Sequence, residues 1–161
     1  MKTIILFTSH HCTTKKLAFQ IAQDLEIDPD CDVDFSKNKK IDISSYDFVI
    51  IGSSIHAGSI PSDFKKFLIR NTGILMTKKI AIFMCGMEKQ DKLILEFEYN
   101  FPIELRLHSI ANGLLGGEFL FEKMNFLEKL IIKKISGLVS SKSDIDYNKY
   151  YDFIENLKLA T

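Results

Sequence analysis

The chain predicts a single doubly wound α/β domain, on three observations. Short apolar runs recur along it, helix-patterned segments separate them, and 161 residues suit one sheet with its covering helices. Near-continuous apolar runs are the pattern of parallel strands buried on both faces, and their alternation with helical periodicity marks βαβ units.

Each element has its own signal. Ile4 to Phe7 is the first strand. After Thr13-Thr14, the residues Leu17, Ala18, Ile21, Ala22 and Leu25 recur at helical spacing, which predicts a crossover helix. Cys31 to Phe35 alternates instead, with Cys31, Val33 and Phe35 inward and Asp32 and Asp34 outward, so a short edge strand is expected. Phe48 to Ile51 is the third strand. Pro61 stands where the next helix's first turn should begin, Asp63 lies in that turn, and Phe64, Phe67 and Leu68 form its apolar face. Ile80 to Met84 is the fourth strand. Leu93, Ile94 and Phe97 predict a helix behind it, broken near Pro102. Ile110 to Phe121, containing Gly113 and Gly116-Gly117, reads as a fifth, kinked strand or a strand pair. Two helices close the chain, near Met124 to Ser136 and Asp146 to Leu159. The first carries Met124, Leu127, Ile131, Ile135 and Leu138 on one stripe, expected to pack on the sheet as its fifth helix.

Composition removes several function classes. Lys plus Arg equals Asp plus Glu at 21 each, so no global field draws in nucleic acid or a strongly charged partner. A small-molecule ligand is favoured. Cys12, Cys31 and Cys85 are odd in number and form no CxxC, which argues against a disulfide framework or a zinc site and fits a reducing cytoplasm. The run Thr3-Ile4-Ile5-Leu6-Phe7 is too short for a signal-peptide core, and no apolar run reaches the length of a membrane span.

Doubly wound sheets bind ligands beyond the carboxyl ends of their strands, at a topological switch point. Three small, polar or glycine-bearing segments lie there: Ser9-His10-His11-Cys12-Thr13-Thr14, then Gly52 to Gly58, then Cys85-Gly86-Met87. Their clustering predicts one crevice. A helix starting at Thr13 or Thr14 offers unpaired amides and a positive dipole end to a phosphate, with Ser9, Thr13 and Thr14 as hydroxyl donors. Equally open on this loop alone is that Thr13 or Thr14 merely caps the helix. GxGxxG and GxxxxGK[ST] are both absent, which favours a mononucleotide over a dinucleotide or a nucleoside triphosphate. A metal site is disfavoured, since adjacent His10 and His11 would point apart and no third ligand is near in sequence. Cys12 at a helix start is a candidate reactive thiol, but no resolving cysteine is assured. Lys15 and Lys16 oppose the helix dipole, as solvated side chains or as a mild aid to a phosphate. His108 is most simply a surface or helix-end residue.

Together these loops resemble the flavodoxin family of FMN-binding proteins. In that family the first loop runs Ser or Thr, two variable residues, Gly, one more, then Ser or Thr; Ser9 and Thr14 match, and Cys12 stands where glycine is usual. Three stretches, KTIILFTSHHCTTKKLA, YDFVIIGSSIHAGSIPSDFKKFL and GLLGGEFLFEKMNFLEKLIIKKISG, are most similar to the bacterial menaquinone-dependent protoporphyrinogen oxidases of that family. The resemblance implies a flavodoxin-like strand order of 2-1-3-4-5 in one domain, residues 1–161. It implies FMN held by its phosphate at Ser9, His10, His11, Cys12, Thr13 and Thr14. The isoalloxazine would then lie between the loop of Ser53, Ser54, Ile55, His56, Ala57 and Gly58 and the loop of Cys85, Gly86 and Met87.

Such a ring needs flat or polarizable covers and a carbonyl able to accept from N5–H after one-electron reduction. His56 and Met87 are the candidate covers, and Gly58 would permit a peptide flip at Ala57-Gly58. The Trp or Tyr that many flavodoxins stack on flavin is missing from both loops. His56 as an exposed loop residue and Met87 as packing under the fourth helix remain alternatives. No residue is singled out as catalytic.

Two function classes follow from the resemblance. One is an FMN-dependent oxidoreductase taking electrons from a porphyrinogen and passing them to a quinone; the other is an electron-transfer protein docking with redox partner proteins. Shuttling flavodoxins are typically acidic, so a net charge of zero counts against the second. Phe126, Leu130 and Ile132 widen the apolar surface of the segment Met124 to Leu138, and Lys123, Lys129, Lys133 and Lys134 add basic charge. Weak contact with the anionic inner face of a membrane is therefore expected of a cytoplasmic protein.

Overall fold

Strands apolar on both faces require a helical layer on each side, and the chain supplies two. The computed structural model describes residues 1–10, 12–28, 32–119, 122, 124–136 and 140–160. In it, β1 (Thr3–Thr8), β2 (Asp32–Asp34), β3 (Phe48–Ser54), β4 (Lys79–Cys85) and β5 (Asn112–Leu114) form one parallel sheet in the order β2-β1-β3-β4-β5. The expected strand order and the edge position of β2 are both observed. Val33 is half-buried and Phe35 buried as the alternation requires, while Cys31 lies outside the described residues.

Alternate residues of each strand feed two separate cores. Ile4, Leu6, Val49, Ile51, Ile80, Ile82 and Met84 face α2 (Ser62–Arg70), α3 (Thr72–Leu75), α4 (Gln90–Asn100) and α5 (Ile103–His108). Ile5, Phe7, Phe48, Ile50, Ala81, Phe83 and Cys85 face α1 (Thr13–Asp24) and α7 (Tyr147–Ala160). Tyr150, sealed in the second core, donates its hydroxyl to Asp24 Oδ2 at 2.6 Å and so ties α7 to the end of α1. Pro102 separates α4 from α5, where its missing N–H and its effect on the preceding residue forbid one continuous helix. Pro61 lies one residue outside α2, at φ −53 and ψ 130, and not in its first turn. His108 closes α5 and its ring contacts the Lys78 carbonyl at 2.8 Å.

Two expectations need correction. Of the two readings of Ile110 to Phe121, a kinked strand or a strand pair, the segment holds two strands that do not pair with each other: β5 stops at Leu114, and β6 (Glu118–Phe119) pairs antiparallel with β7 (Lys142–Ser143) in a separate two-stranded sheet. Gly116 makes the break. Its φ is 73, and a Cβ there would stand 2.0 Å from the Asp144 carbonyl oxygen. Residues 120 and 121 lie outside the described set.

Between β6 and β7 runs α6 (Phe126–Ser136), which was expected to cover the sheet and does not. Leu127 is 69 % exposed and Ile131 54 %, and Phe126 beside them is 75 % exposed. Only Met124, just before the helix, is buried among the described members of the stripe; Leu138 and the side chain of Ile135 are outside the described set. The place on the sheet is already taken. Phe153 of α7 packs against Gly113 of β5, so close that a Cβ on the glycine would meet its ring at 2.9 Å.

Candidate functional site

The ends of β1, β3 and β4 are level, with Thr8 opposite Ser53 and Ser54 opposite Cys85 in the sheet register. Ser9, His10 and Cys12 to Thr14, with Ser54 to Ser59 and Cys85 to Met87, therefore emerge at the same end of the sheet, as the sequence predicts.

The first loop carries the clearest feature. Cys12 is the residue before α1 and adopts φ 68 and ψ −8, a left-handed conformation that disfavours any side chain. The backbone thus keeps the shape of a glycine position with a cysteine in it. The N-cap position is Cys12, which makes no side-chain cap hydrogen bond, so Thr13 and Thr14 lie inside the first turn and not at the cap. The Thr14 side chain is fully buried and its Oγ1 has no hydrogen-bond partner; the Cys85 thiol beside it is a weak acceptor. A buried hydroxyl without a strong partner is costly, and this one stands at the start of a helix whose first amides lack intrahelical partners. That arrangement fits a phosphate group. Ser9 Oγ accepts the Lys15 amide at 3.3 Å, and Ser54 Oγ accepts the His10 amide at 3.2 Å, so the loop is held from both sides. His11 lies outside the described residues. Lys16 is engaged elsewhere, its ammonium 3.0 Å from Glu118 Oε1, and the Lys15 ammonium lies over the Phe19 ring.

The second loop is a tight hairpin. His56 and Ser59 exchange two backbone hydrogen bonds of 3.0 and 3.1 Å around Ala57 at φ 49 and Gly58 at φ 78. Two successive positive φ values define a type I′ turn. His56 and Ala57 are exposed at its tip. The His56 ring lies 4.5 Å from that of His10. Ser53, by contrast, is buried and shares a 2.7 Å hydrogen bond with the Thr8 hydroxyl.

The third loop is tied to its neighbours by backbone hydrogen bonds. Burial pushes the Cys85 thiol up to about 12, so it is a neutral core group; its carbonyl accepts the Ile55 amide at 2.9 Å. Gly86 donates to the Gly116 carbonyl at 3.0 Å, and Met87 is half-buried against Gly117.

Several residues around this crevice had been passed over in the sequence. Glu128 of α6 reaches His10 Nε2 at 3.2 Å, 118 residues away in the chain. Asn100 of α4 accepts the Ile60 amide at 3.1 Å and donates to the Gly58 carbonyl at 2.9 Å, fixing the hairpin's second leg. Glu96 lies one helical turn before it, buried behind Gly58. For Glu96 and Asn100 a signal existed: they interrupt the buried stripe of Leu93 and Phe97 at helical spacing. The Asn125-x-x-Glu128 spacing marks a helix start, but no local pattern announces the contact of Glu128 with His10.

Fold and first loop define a class, the doubly wound α/β proteins with an anion-ready first loop. The profile of the flavodoxin domain matches residues 4–146, and the chain belongs to that family. Among known proteins it is 23 % identical to the protoporphyrinogen IX dehydrogenase (quinone) of Escherichia coli K12, over 93 % of this chain and 89 % of that one. Flavodoxin 2 from Bacillus cereus superposes with a TM-score of 0.59 at 18 % identity, covering all of both chains. Flavodoxin 1 from the same organism gives 0.54 at 18 %, covering 99 % of this chain and 97 % of that one.

Proposed function

We propose that the chain binds FMN at the ends of β1, β3 and β4 and acts as an oxidoreductase of the protoporphyrinogen oxidase type, moving electrons from a porphyrinogen to a quinone. The observation that carries the cofactor is Thr14, a buried hydroxyl short of a strong partner beside the left-handed Cys12 at the start of α1. Bound FMN would supply one- and two-electron transfer. Thr14, Ser9 and the first amides of α1 would hold the phosphate, with hydroxyls and amides giving charge-assisted hydrogen bonds without a fixed positive charge. Met87 and the hairpin of His56, Ala57 and Gly58 would wall the ring and limit water around it.

The enzyme is favoured over an electron shuttle by two features. The relative at 23 % identity is named as a quinone dehydrogenase, and α6 presents Phe126, Leu127, Leu130 and Ile131 to solvent, a surface suited to a lipophilic acceptor at a bilayer. Among the described residues no helix is long and apolar enough to cross a membrane, so such contact would be peripheral. The alternative, an electron carrier docking with a redox protein, lacks the charged field that steers such pairs, since the chain's net charge is zero.

Two measurements decide. FMN titration of the purified protein should give saturable binding. Anaerobic turnover of protoporphyrinogen with a menaquinone analogue should exceed transfer in a reductase-coupled assay; the reverse ranking would replace the enzyme by the carrier.

A further inference from the structure

α4 turns two polar residues onto its buried face, and they have opposite fates. Asn100 is satisfied at both ends of its amide, by Ile60, Gly58 and the Glu96 carbonyl. Glu96, only 7 % exposed, is not: Oε1 lies 3.9 Å from Lys92 Nζ, and Oε2 has no partner. Lys92 is drawn away by Glu88, whose Oε1 is nearer at 2.7 Å. The backbone behind which Glu96 sits is the type I′ turn, since a Cβ on Gly58 would stand 3.7 Å from Glu96 Oε1.

We propose that Glu96 is a positioning residue acting through the His56–Ser59 turn: with its proton on, the carboxyl fits behind Gly58 and leaves the turn as it stands, and once ionised it takes the Gly58 amide as a donor and rotates the Ala57–Gly58 peptide. The consequence for a bound ring rests on the FMN reading above; the coupling between carboxyl and turn does not.

A carboxylate removed from water must find donors, and beside it stand an exposed, already paired ammonium and the backbone of Gly58. Glycine lets that peptide turn without a steric penalty at its own φ. Ala57 resists, because rotating the central peptide of a type I′ turn moves the first residue toward a region open mainly to glycine. A charged acceptor is the kind of partner that can overcome this. The surrounding charges set the switching range: burial and Glu88 raise the Glu96 pKa, and Lys92 lowers it. His56 is the turn's one titratable residue.

The test uses the cofactor-free protein first. Amide NMR spectra between about pH 4 and 8 should show the Gly58 resonance moving with a midpoint above the ordinary glutamate value. Glu96→Gln should hold it near its acid position throughout, and His56→Asn should leave the movement intact. A Gly58 amide that does not titrate in the wild type, or titrates unchanged in Glu96→Gln, overturns the proposal. FMN affinity should then change about threefold or more across the same step in the wild type, the linkage of half a pKa unit, and stay flat in Glu96→Gln. Failure of FMN to bind while Gly58 still follows Glu96 removes the cofactor reading and leaves the coupling standing. Tight, pH-independent FMN binding with a silent Gly58 does the opposite.

Discussion

His10 and Glu128 meet at 3.2 Å across 118 residues of chain, joining the first loop to α6. Glu128 also closes a capping box with Asn125, accepting the Asn125 amide with Oε2 at 2.9 Å while Asn125 Oδ1 accepts the Glu128 amide at 2.9 Å. Glu128→Gln preserves that box and removes only the negative charge. We expect amide hydrogen exchange over 126–136 to quicken by up to about fivefold, the worth of a partly exposed pair, with the sheet unchanged. Equal exchange in both proteins makes the contact incidental.

Thr14 is best tested by an isostere. Thr14→Val removes a buried hydroxyl without a strong partner, so thermal stability without FMN should hold or rise. FMN affinity should fall by about 1 to 3 kcal/mol. Calorimetry and flavin fluorescence measure the two, and lower stability with unchanged affinity contradicts the phosphate role.

Cys12→Gly should leave folding stability nearly unchanged, because relief of about 1 kcal/mol of left-handed strain is offset by about 0.4 to 1 kcal/mol of added chain entropy in the unfolded state. FMN binding should be equal or tighter. Turnover lost with FMN retained would assign the thiol a chemical role.

Glu96 also gives stability a pH signature. Its folded pKa is raised above the ordinary 4.5, so the folded state binds the proton more tightly than the unfolded chain. The stability this contributes is complete below about pH 4.5 and is lost as pH rises through the folded value. Glu96→Gln keeps a neutral group there. Relative to the wild type it should gain stability from acid to neutral pH in urea titrations; a gap between the two that does not change with pH would count against it.

The exposed face of α6 should bind anionic liposomes weakly and less well at high salt. Changing Lys129 and Lys133 together to Glu should abolish co-sedimentation. Absence of binding even at low ionic strength leaves α6 without a bilayer role and strengthens the soluble carrier.

Much of this molecule was legible because its strands are apolar on both faces. Ile4 to Phe7, Phe48 to Ile51 and Ile80 to Met84 announce a buried parallel sheet, and Pro102 announces where α4 must stop. The resemblance to the flavodoxin first loop marks Cys12 as a glycine position, and its backbone there has the positive φ of one. What failed was the destination of α6. Periodicity tells which side of a helix is apolar but not which of two apolar helices reaches the sheet first, and α7 with Tyr150, Phe153 and Leu157 holds that place. The Gly58 end of the hairpin was foreseen through glycine's freedom, whereas Glu96 and Asn100 behind it depend on contacts across some forty residues, as Asn100 to Gly58 spans 42.

The strand pair that carries α6 leaves and rejoins the domain at almost one point. Gly117 accepts the Asp144 amide at 2.8 Å, Leu115 accepts the Asp146 amide at 3.0 Å, and a Cβ on Gly116 would strike the Asp144 carbonyl. Such touching ends make residues 118–143 a cassette: the chain could be shortened or refitted between them without stretching β5 or moving α7. What is displayed beside the first loop is thus separable from the frame that positions that loop.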